Sequence, residues 1–314
     1  MRWLADGSAA SVAAAVREVA PWLAGESVHV REVPGRDEPL WQASSARIGD
    51  GHVAKFAWSQ PAARRVAHEI GVVTALRDIG DVPNVAEVVA SGLEPVLLIT
   101  RRVPGRSLFE AVDTIDRERA GRDLGRFLAA LHRTSTMAAV EAAIGELPEA
   151  GVGTQHPVGT AELRQGLGHH LTPYHWTLVV DWCDWADATL AQRLPAVLVH
   201  ADLHGDNQIW DGDQLRLVVD FETASAGEPE YDLRVLPGIG PGGELLRATM
   251  AHYVSFGGRR LDLDRILAWH LLTVLSDALW RSDAGIPMPD GRTAAQWVDD
   301  LSLRLAAAGA ADLP

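Results

Sequence analysis

One segment constrains this chain more than any other. From Leu198 the sequence runs Leu-Val-His-Ala-Asp-Leu-His-Gly-Asp-Asn-Gln-Ile-Trp, and Leu217 to Glu222 follows as Leu-Val-Val-Asp-Phe-Glu. The pattern is His200-x-Asp202-x4-Asn207, then an apolar run that ends at Asp220. Asparagine occurs at only two positions, Asn84 and Asn207, so roughly 0.006 chance matches of the triplet are expected from composition. The spacing predicts a strand over 196–199, a polar loop, and a second strand over 215–219 that delivers Asp220 to its end. A strand, a polar loop and a second strand ending in Asp220 is a local architecture that presents several oxygens to one place.

Those residue types suit phosphoryl transfer. That chemistry needs an acceptor held in line and metal ions to absorb developing charge. Asp202, on a loop, can orient an acceptor hydroxyl and take its proton. Asn207 and Asp220 offer the hard oxygens that Mg²⁺ prefers. A cation for the nucleotide phosphates comes from a second oddity of composition. The chain has 27 arginines and a single lysine, Lys55. A lysine brings a compact ammonium, whereas Arg brings a planar fork, so Lys55 marks a position where Arg does not serve. It lies in His52-Val-Ala-Lys-Phe-Ala57, whose alternation sets Lys55 opposite Ala54 and Phe56. Glu69 falls on a helix expected over 62–78 and can hold Lys55 by an ion pair.

The rest of the chain divides near Val103. Before it the sequence predicts a helix over 8–24 and strands over 28–33, 40–48, 52–57, 85–90 and 95–101, with Asp50-Gly51 as a two-residue hairpin turn. After Pro104-Gly105 it is mostly helical. Helices are expected over 116–133, 175–194, 242–256, 262–281 and 293–308, while 136–170 carries no clear period. The first of these shows an apolar face of Leu124, Phe127, Leu128 and Leu131. The domains expected are therefore 1–103 and 104–314.

Together these motifs resemble the aminoglycoside phosphotransferase family, within the wider protein-kinase-like fold. Val-Ala-Lys55 resembles the family's third-strand lysine and Glu69 its partner. Leu128-Ala-Ala-Leu-His132 resembles its helix ending in Leu-His, and His200 to Asn207 its catalytic loop. Val219-Asp-Phe-Glu222 stands where protein kinases have Asp-Phe-Gly. Gly227-Glu-Pro-Glu-Tyr-Asp232-Leu resembles the turn that follows. The resemblance implies an α+β bilobal fold: a small N-terminal β-sheet lobe with an inserted helix, and a larger, mainly helical C-terminal lobe. It implies Mg²⁺ and ATP, with GTP as the alternative donor. It sets the adenine against a lobe-joining hinge at Ile99, Thr100, Arg101 and Val103, with Ile209 opposite. His200 and Asp232 are then expected to brace the loop. The hairpin from Pro34 to Ser45 lacks a Gly-rich phosphate loop, leaving Ser44, Ser45 or backbone amides for that task. The Ala-Pro-Glu element and a long activation loop are also missing, which favours a small-molecule kinase over a protein kinase.

Charge bears on the acceptor. The net charge is −14, of which residues 104–314 carry −13 and residues 1–103 only −1. An acidic half steers cations and is a poor binder of nucleic acid. An aminoglycoside-type antibiotic is the first expectation, with resistance by phosphorylation as the outcome. The alternatives are a sugar, an amino alcohol or a macrolide, or a nucleotide-binding protein without catalysis. Candidate acceptor contacts are Asp206, Glu222, Asp277 and Trp280. Asp181, Asp184 and Asp187, interleaved with Trp182 and Trp185, form either an acidic aromatic surface or a helix with Trp inside and Asp in water. No apolar stretch of membrane-spanning length appears, no secretory run follows Arg2, and Cys183 is the only cysteine. A cytoplasmic enzyme without membrane or nucleic-acid partners is the expectation.

Overall fold

The computed structural model describes residues 1–31, 38–150, 157–240 and 243–310. In it, the alternation around Lys55 becomes the middle of a sheet. β1 (Val28–Val30), β2 (Ala43–Ile48), β3 (His52–Ala57), β4 (Val88–Leu93) and β5 (Val96–Arg101) pair antiparallel in the order β1-β2-β3-β5-β4. Ala54 and Phe56 are fully buried with Ile48, Leu97 and Ile99 in a core that also takes Val12 and Val16 of α1 (Ala9–Val19). Lys55 therefore points to the other face, where α2 (Gln60–Ile79) packs through Ala62, Ala63, Val66 and Ile70 against Val96 and Leu98. Ser59 caps α2 by accepting from Ala62 N, and Gly80 ends it at φ +73.

Several local expectations change: the strand expected over 85–90 runs Val88–Leu93, the helix expected over 8–24 ends at Val19, and the polar loop before 215 contains a further strand, Gln208–Asp211. Ile48 pairs with His52, so the hairpin loop is the three residues Gly49-Asp50-Gly51, with Gly49 at φ +55, rather than a two-residue Asp50-Gly51 turn. The strand expected from residue 40 starts at Ala43. Pro39 lacks a ladder donor, and Pro39–Trp41 forms a 3₁₀ turn. Of the expected 28–33 strand, 32–33 lie outside the described residues, as does the Pro34 end of the following hairpin.

The C-terminal lobe begins with β6 (Arg106–Ser107), α3 (Leu108–Ala111), α4 (Arg117–Leu131), α5 (Thr134–Ile144), α6 (Thr160–Leu167) and α7 (Pro173–Leu190). The stretch without a clear period thus holds α5 and α6. Next come β7 (Val197–Val199), β8 (Gln208–Asp211), β9 (Gln214–Val218), β10 (Ser225–Gly227), α8 (Glu230–Leu233), α9 (Glu244–Ser255), α10 (Leu263–Ala284) and α11 (Ala294–Ala308). Strands β6-β8-β9 form one small sheet and β10-β7 another. Leu124, Phe127, Leu128 and Leu131 are all fully buried, as their spacing predicts. α4 lies hard against α9 because Gly121 and Gly125 present no side chain there. A Cβ on Gly121 would sit 2.4 Å from the Cβ of Ala248. The main core joins these helices to Val72, Val73 and Leu76 of α2, so α2 belongs to both lobes. A second core holds α6, α7, α10 and α11 and includes Trp182 and Cys183. Burial pushes the Cys183 thiol up to about 11, so it stays a neutral, inert apolar group. Asp184 and Asp187 pair with Arg164 while Trp182 is inside, the second of the two arrangements expected for that helix. No helix among the described residues is long and apolar enough to cross a membrane.

Candidate active site

β7 ends at Val199 and hands the chain to a loop that buried groups hold at several points. Asp232, fully buried on α8, accepts from His200 N and Ala201 N, both at 2.8 Å. It also accepts from His132 Nε2 at 3.1 Å, whose Nδ1 meets the Tyr253 hydroxyl at 3.3 Å. Burial alone would raise the Asp232 carboxyl. The bonds from His132 and the amides outweigh it and hold the group below the usual carboxylate range. Arg234 donates to Ala201 O and to Tyr231 O. His200 Nδ1 accepts from Asp202 N at 3.2 Å, so its Nε2 carries the proton donated to Val219 O at 2.9 Å. His200 and Asp232 thus brace the backbone. These contacts hold Ala201 at φ +66, a conformation an alanine reaches only under constraint.

The braced loop presents Asp202. Burial of its surroundings raises its carboxyl above the usual range, with His204 and Arg234 opposing, and 43% of the side chain still opens to the cavity. Asn207 Nδ2 donates to Asp202 O at 2.8 Å and reaches Asp202 Oδ2 at 3.4 Å. Its amide oxygen is then the atom left for a cation. Val219 N donates to Asn207 O at 3.0 Å and ties β9 to this loop. Asp220 follows at φ +71.

Lys55 Nζ lies 2.7 Å from Glu69, 2.5 Å from Asp220 and 2.9 Å from Glu222. Burial would lower its pKa, but three carboxylates outweigh burial and keep it charged. Lys55 pulls Asp220 below the usual carboxylate range against the cost of burial. Glu69 is the most enclosed of the three, and burial raises it while Lys55 opposes. Glu69 Oε1 also accepts from Phe221 N at 3.2 Å.

Lys55, Glu69, Asp202, Asp206, Asn207, Asp220 and Glu222 all line one cavity of about 440 Å³ between the lobes. Its apolar wall is Val53, Val73, Ala86, Leu98 and Val218, and Ser44, Ser45 and Thr100 also face it. Ile99, Arg101, Val103 and Ile209 do not line it. On β5 the residues facing the cavity are Leu98 and Thr100, and Ile99 is fully buried on the α1 side. Arg101 instead pairs with Glu87. Glu222, expected to meet an acceptor amine, is bound to Lys55 and Arg65. Asp277 pairs with Arg281 at 2.9 Å, Trp280 stacks with the same arginine, and neither lines the cavity. Sequence reasoning missed Arg65 and Trp41, which do line it. The available signal was that Arg65 stands four residues before Glu69, on the same helix face.

A cation of Mg²⁺ type fits these donors, since Asp220 and the Asn207 amide oxygen are hard ligands on one cavity. Glu69, Asp220 and Glu222 also bring carboxylate oxygens within 4.8 Å of one another, but Lys55 already serves all three.

The sequence matches the family model described as the phosphotransferase enzyme family over residues 29–263, well over half of the chain. The chain belongs to that family. It is a phosphotransferase, a small-molecule kinase, on the bilobal α+β kinase-like fold. None of the curated proteins matches it in sequence. Among solved structures, the GDP complex of wild-type aminoglycoside 2'-phosphotransferase-IIIa is similar at 18% identity, with a TM-score of 0.67 over 97% of this chain and 99% of that one. The gentamicin complex of APH(2")-IIa is similar at 15% identity and a TM-score of 0.60, over 95% of each chain. Macrolide 2'-phosphotransferase MphH from Brachybacterium faecium is similar at 20% identity and a TM-score of 0.59, over 98% of each chain. At these identities the likeness is one of fold.

Proposed function

We propose that this phosphotransferase moves the γ-phosphoryl group of ATP to a hydroxyl of a small molecule, with Mg²⁺ as its metal. One observation carries the reading: Lys55, Asp202, Asn207 and Asp220 open onto a single cavity. Residues 1–103 form the nucleotide lobe and 104–314 the catalytic and acceptor lobe. Lys55 binds the nucleotide phosphates, and Glu69 keeps its ammonium in place. Asn207 and Asp220 hold the metal, which when bound absorbs charge that develops on the phosphates. Asp202 orients the acceptor hydroxyl and takes its proton. The adenine rests on the wall formed by Val53, Ala86, Leu98 and Thr100.

An aminoglycoside-type antibiotic is the acceptor we favour, because the C-terminal lobe carries −13 of the net charge of −14 and two of the similar structures are named for aminoglycosides. A macrolide is the second reading, favoured by the likeness to MphH. The cytoplasm is the compartment we assign, from a chain with one buried cysteine. A coupled ADP-release screen across aminoglycosides, macrolides, sugars and amino alcohols tests the proposal. Turnover with one acceptor, lost in Asp202→Ala, supports it. Absence of turnover with every class would overturn it. Cationic acceptors are expected to show a KM that rises with salt, and macrolides a much weaker dependence.

A further inference from the structure

We propose that Arg65 is a positioning residue for the nucleotide site, which it serves by holding Glu222 partly off Lys55. The inference rests on the reading of Lys55 as the phosphate-binding cation. Nucleotide phosphates must compete with three carboxylates for one ammonium. Among them Glu222 has a second cation to lean on, because its Oε1 pairs with Arg65 Nη2. Arg65 is itself fixed from the other side. Its Nη1 donates to Leu40 O at 3.2 Å, and its guanidinium lies 4.5 Å over the Trp41 ring.

Three residues of α2 grip the segment after Asp220. Glu69 accepts from Phe221 N, His68 Nε2 meets Ala224 O at 2.8 Å, and Arg65 takes Glu222. They stand at i, i+3 and i+4, on one face of the helix. The first two contacts reach backbone and set how far the segment stands from α2. The third decides how the charge of Glu222 is shared. Each oxygen of Glu222 meets a different cation, Oε1 the Arg65 guanidinium and Oε2 the Lys55 ammonium. Without Arg65, Glu222 has only Lys55, and its whole charge falls on the ammonium.

The test is the affinity of the full chain for a fluorescent ATP analogue with Mg²⁺, measured together with thermal unfolding. Arg65→Met is expected to weaken binding about tenfold. Glu222→Gln alone is expected to bind at least as tightly as the wild type. Arg65→Met combined with Glu222→Gln is expected to return within about threefold of the wild type, because the carboxylate that Arg65 restrained is gone. A merely structural tie, or direct contact of Arg65 with phosphate, predicts a double variant no better than Arg65→Met, and that result overturns the proposal. Wild-type affinity in Arg65→Met, or a tenfold loss in Glu222→Gln alone, also overturns it. If Arg65→Met does not fold, Arg65→Gln keeps a donor for Leu40 O and takes its place with the same expectations. Failure of the wild type to bind the analogue would instead remove the reading of Lys55 itself, an outcome distinct from failed recovery.

Discussion

Around Asp232 nearly every donor has an acceptor: two amides and an imidazole meet one buried carboxylate, and Arg234 closes on the Ala201 carbonyl, leaving only its buried Nε without a partner. Around Lys55 three carboxylates crowd one ammonium, and Arg65 takes up part of the excess. The difference follows from what each region is asked to do. A buried network this closely matched has one arrangement and is costly to disturb. It suits the support of a general base, which needs position. A crowded cluster can exchange one partner for another at modest cost, which suits a site that takes up and releases a charged ligand.

The largest effect expected separates the two regions. Asp202→Ala should remove on the order of 10²–10⁴ of kcat, the usual range for a general base. Affinity for Mg-ATP should stay near that of the wild type, because Lys55 and its partners are untouched. Loss of nucleotide binding with the fold intact would break the division of labour. The same base should leave a mark on the pH profile. Burial raises the Asp202 carboxyl, so the acid limb of kcat/KM should lie above the ordinary aspartate value of about 4. Activity falls below that limb as Asp202 takes up a proton, and a profile flat to pH 4 would contradict the assignment.

Next in size is Asp232→Ala. It strands two amides and an imidazole in the interior, and breaking such a buried pair costs about 3–5 kcal/mol. Urea unfolding reads it directly. The sign with pH follows from the depressed carboxyl. Its contribution is fully present above the unfolded-state value of about 3.9 and is lost as pH falls through the lower folded value. Between pH 5 and 3 the wild type should therefore lose stability more steeply than Asp232→Ala. Equal slopes would mean that the network does not hold Asp232 ionised.

How much of this was written in the sequence differs between the regions in the same way. Asp202, Asn207 and Asp220 lie within 19 residues on the loop after β7 and the β8-β9 hairpin that follows, so a short stretch of chain brings them together. Lys55 could be oriented because β3 alternates cleanly. β5 does not, since Val96-Leu-Leu-Ile99 is apolar on both faces, and the side that Ile99 takes is set only by pairing with Ala54. The partner of Arg65 lies 157 residues away, and no local pattern announces it. For the same reason nothing local ties Glu222 to Lys55 and Arg65, the two cations it meets. The fit of α4 to α9 likewise rests on two glycines whose meaning depends on a helix more than a hundred residues further on.

The crowded cluster should tolerate substitution in magnitude but not in shape. Lys55→Arg keeps the charge and brings a wider fork into a space where one nitrogen serves three carboxylates. A loss of about tenfold in kcat/KM, or ~1.4 kcal/mol, is expected. Steady-state kinetics with ATP as the varied substrate measures it. A variant that turns over like the wild type would mean that a single point charge is not what the cluster requires, and that the lone lysine carries no information.

The smallest effect tests the closely matched network from within. Ala201 sits at φ +66 because Asp232 and Arg234 hold the backbone on both sides of it. An alanine there costs about 1–2 kcal/mol in the folded state, which Ala201→Gly relieves. Glycine also gains freedom in the unfolded chain, worth about 0.5–1 kcal/mol. The two terms nearly offset, so urea unfolding should shift by no more than about 1 kcal/mol, toward greater stability. Because the loop is set by its buried contacts rather than by the preference of residue 201, kcat should remain within about twofold of the wild type. A tenfold fall in kcat at unchanged stability would show that the alanine itself limits the loop. The contrast between a self-sufficient network at Asp232 and an adjustable one at Lys55 would then fail.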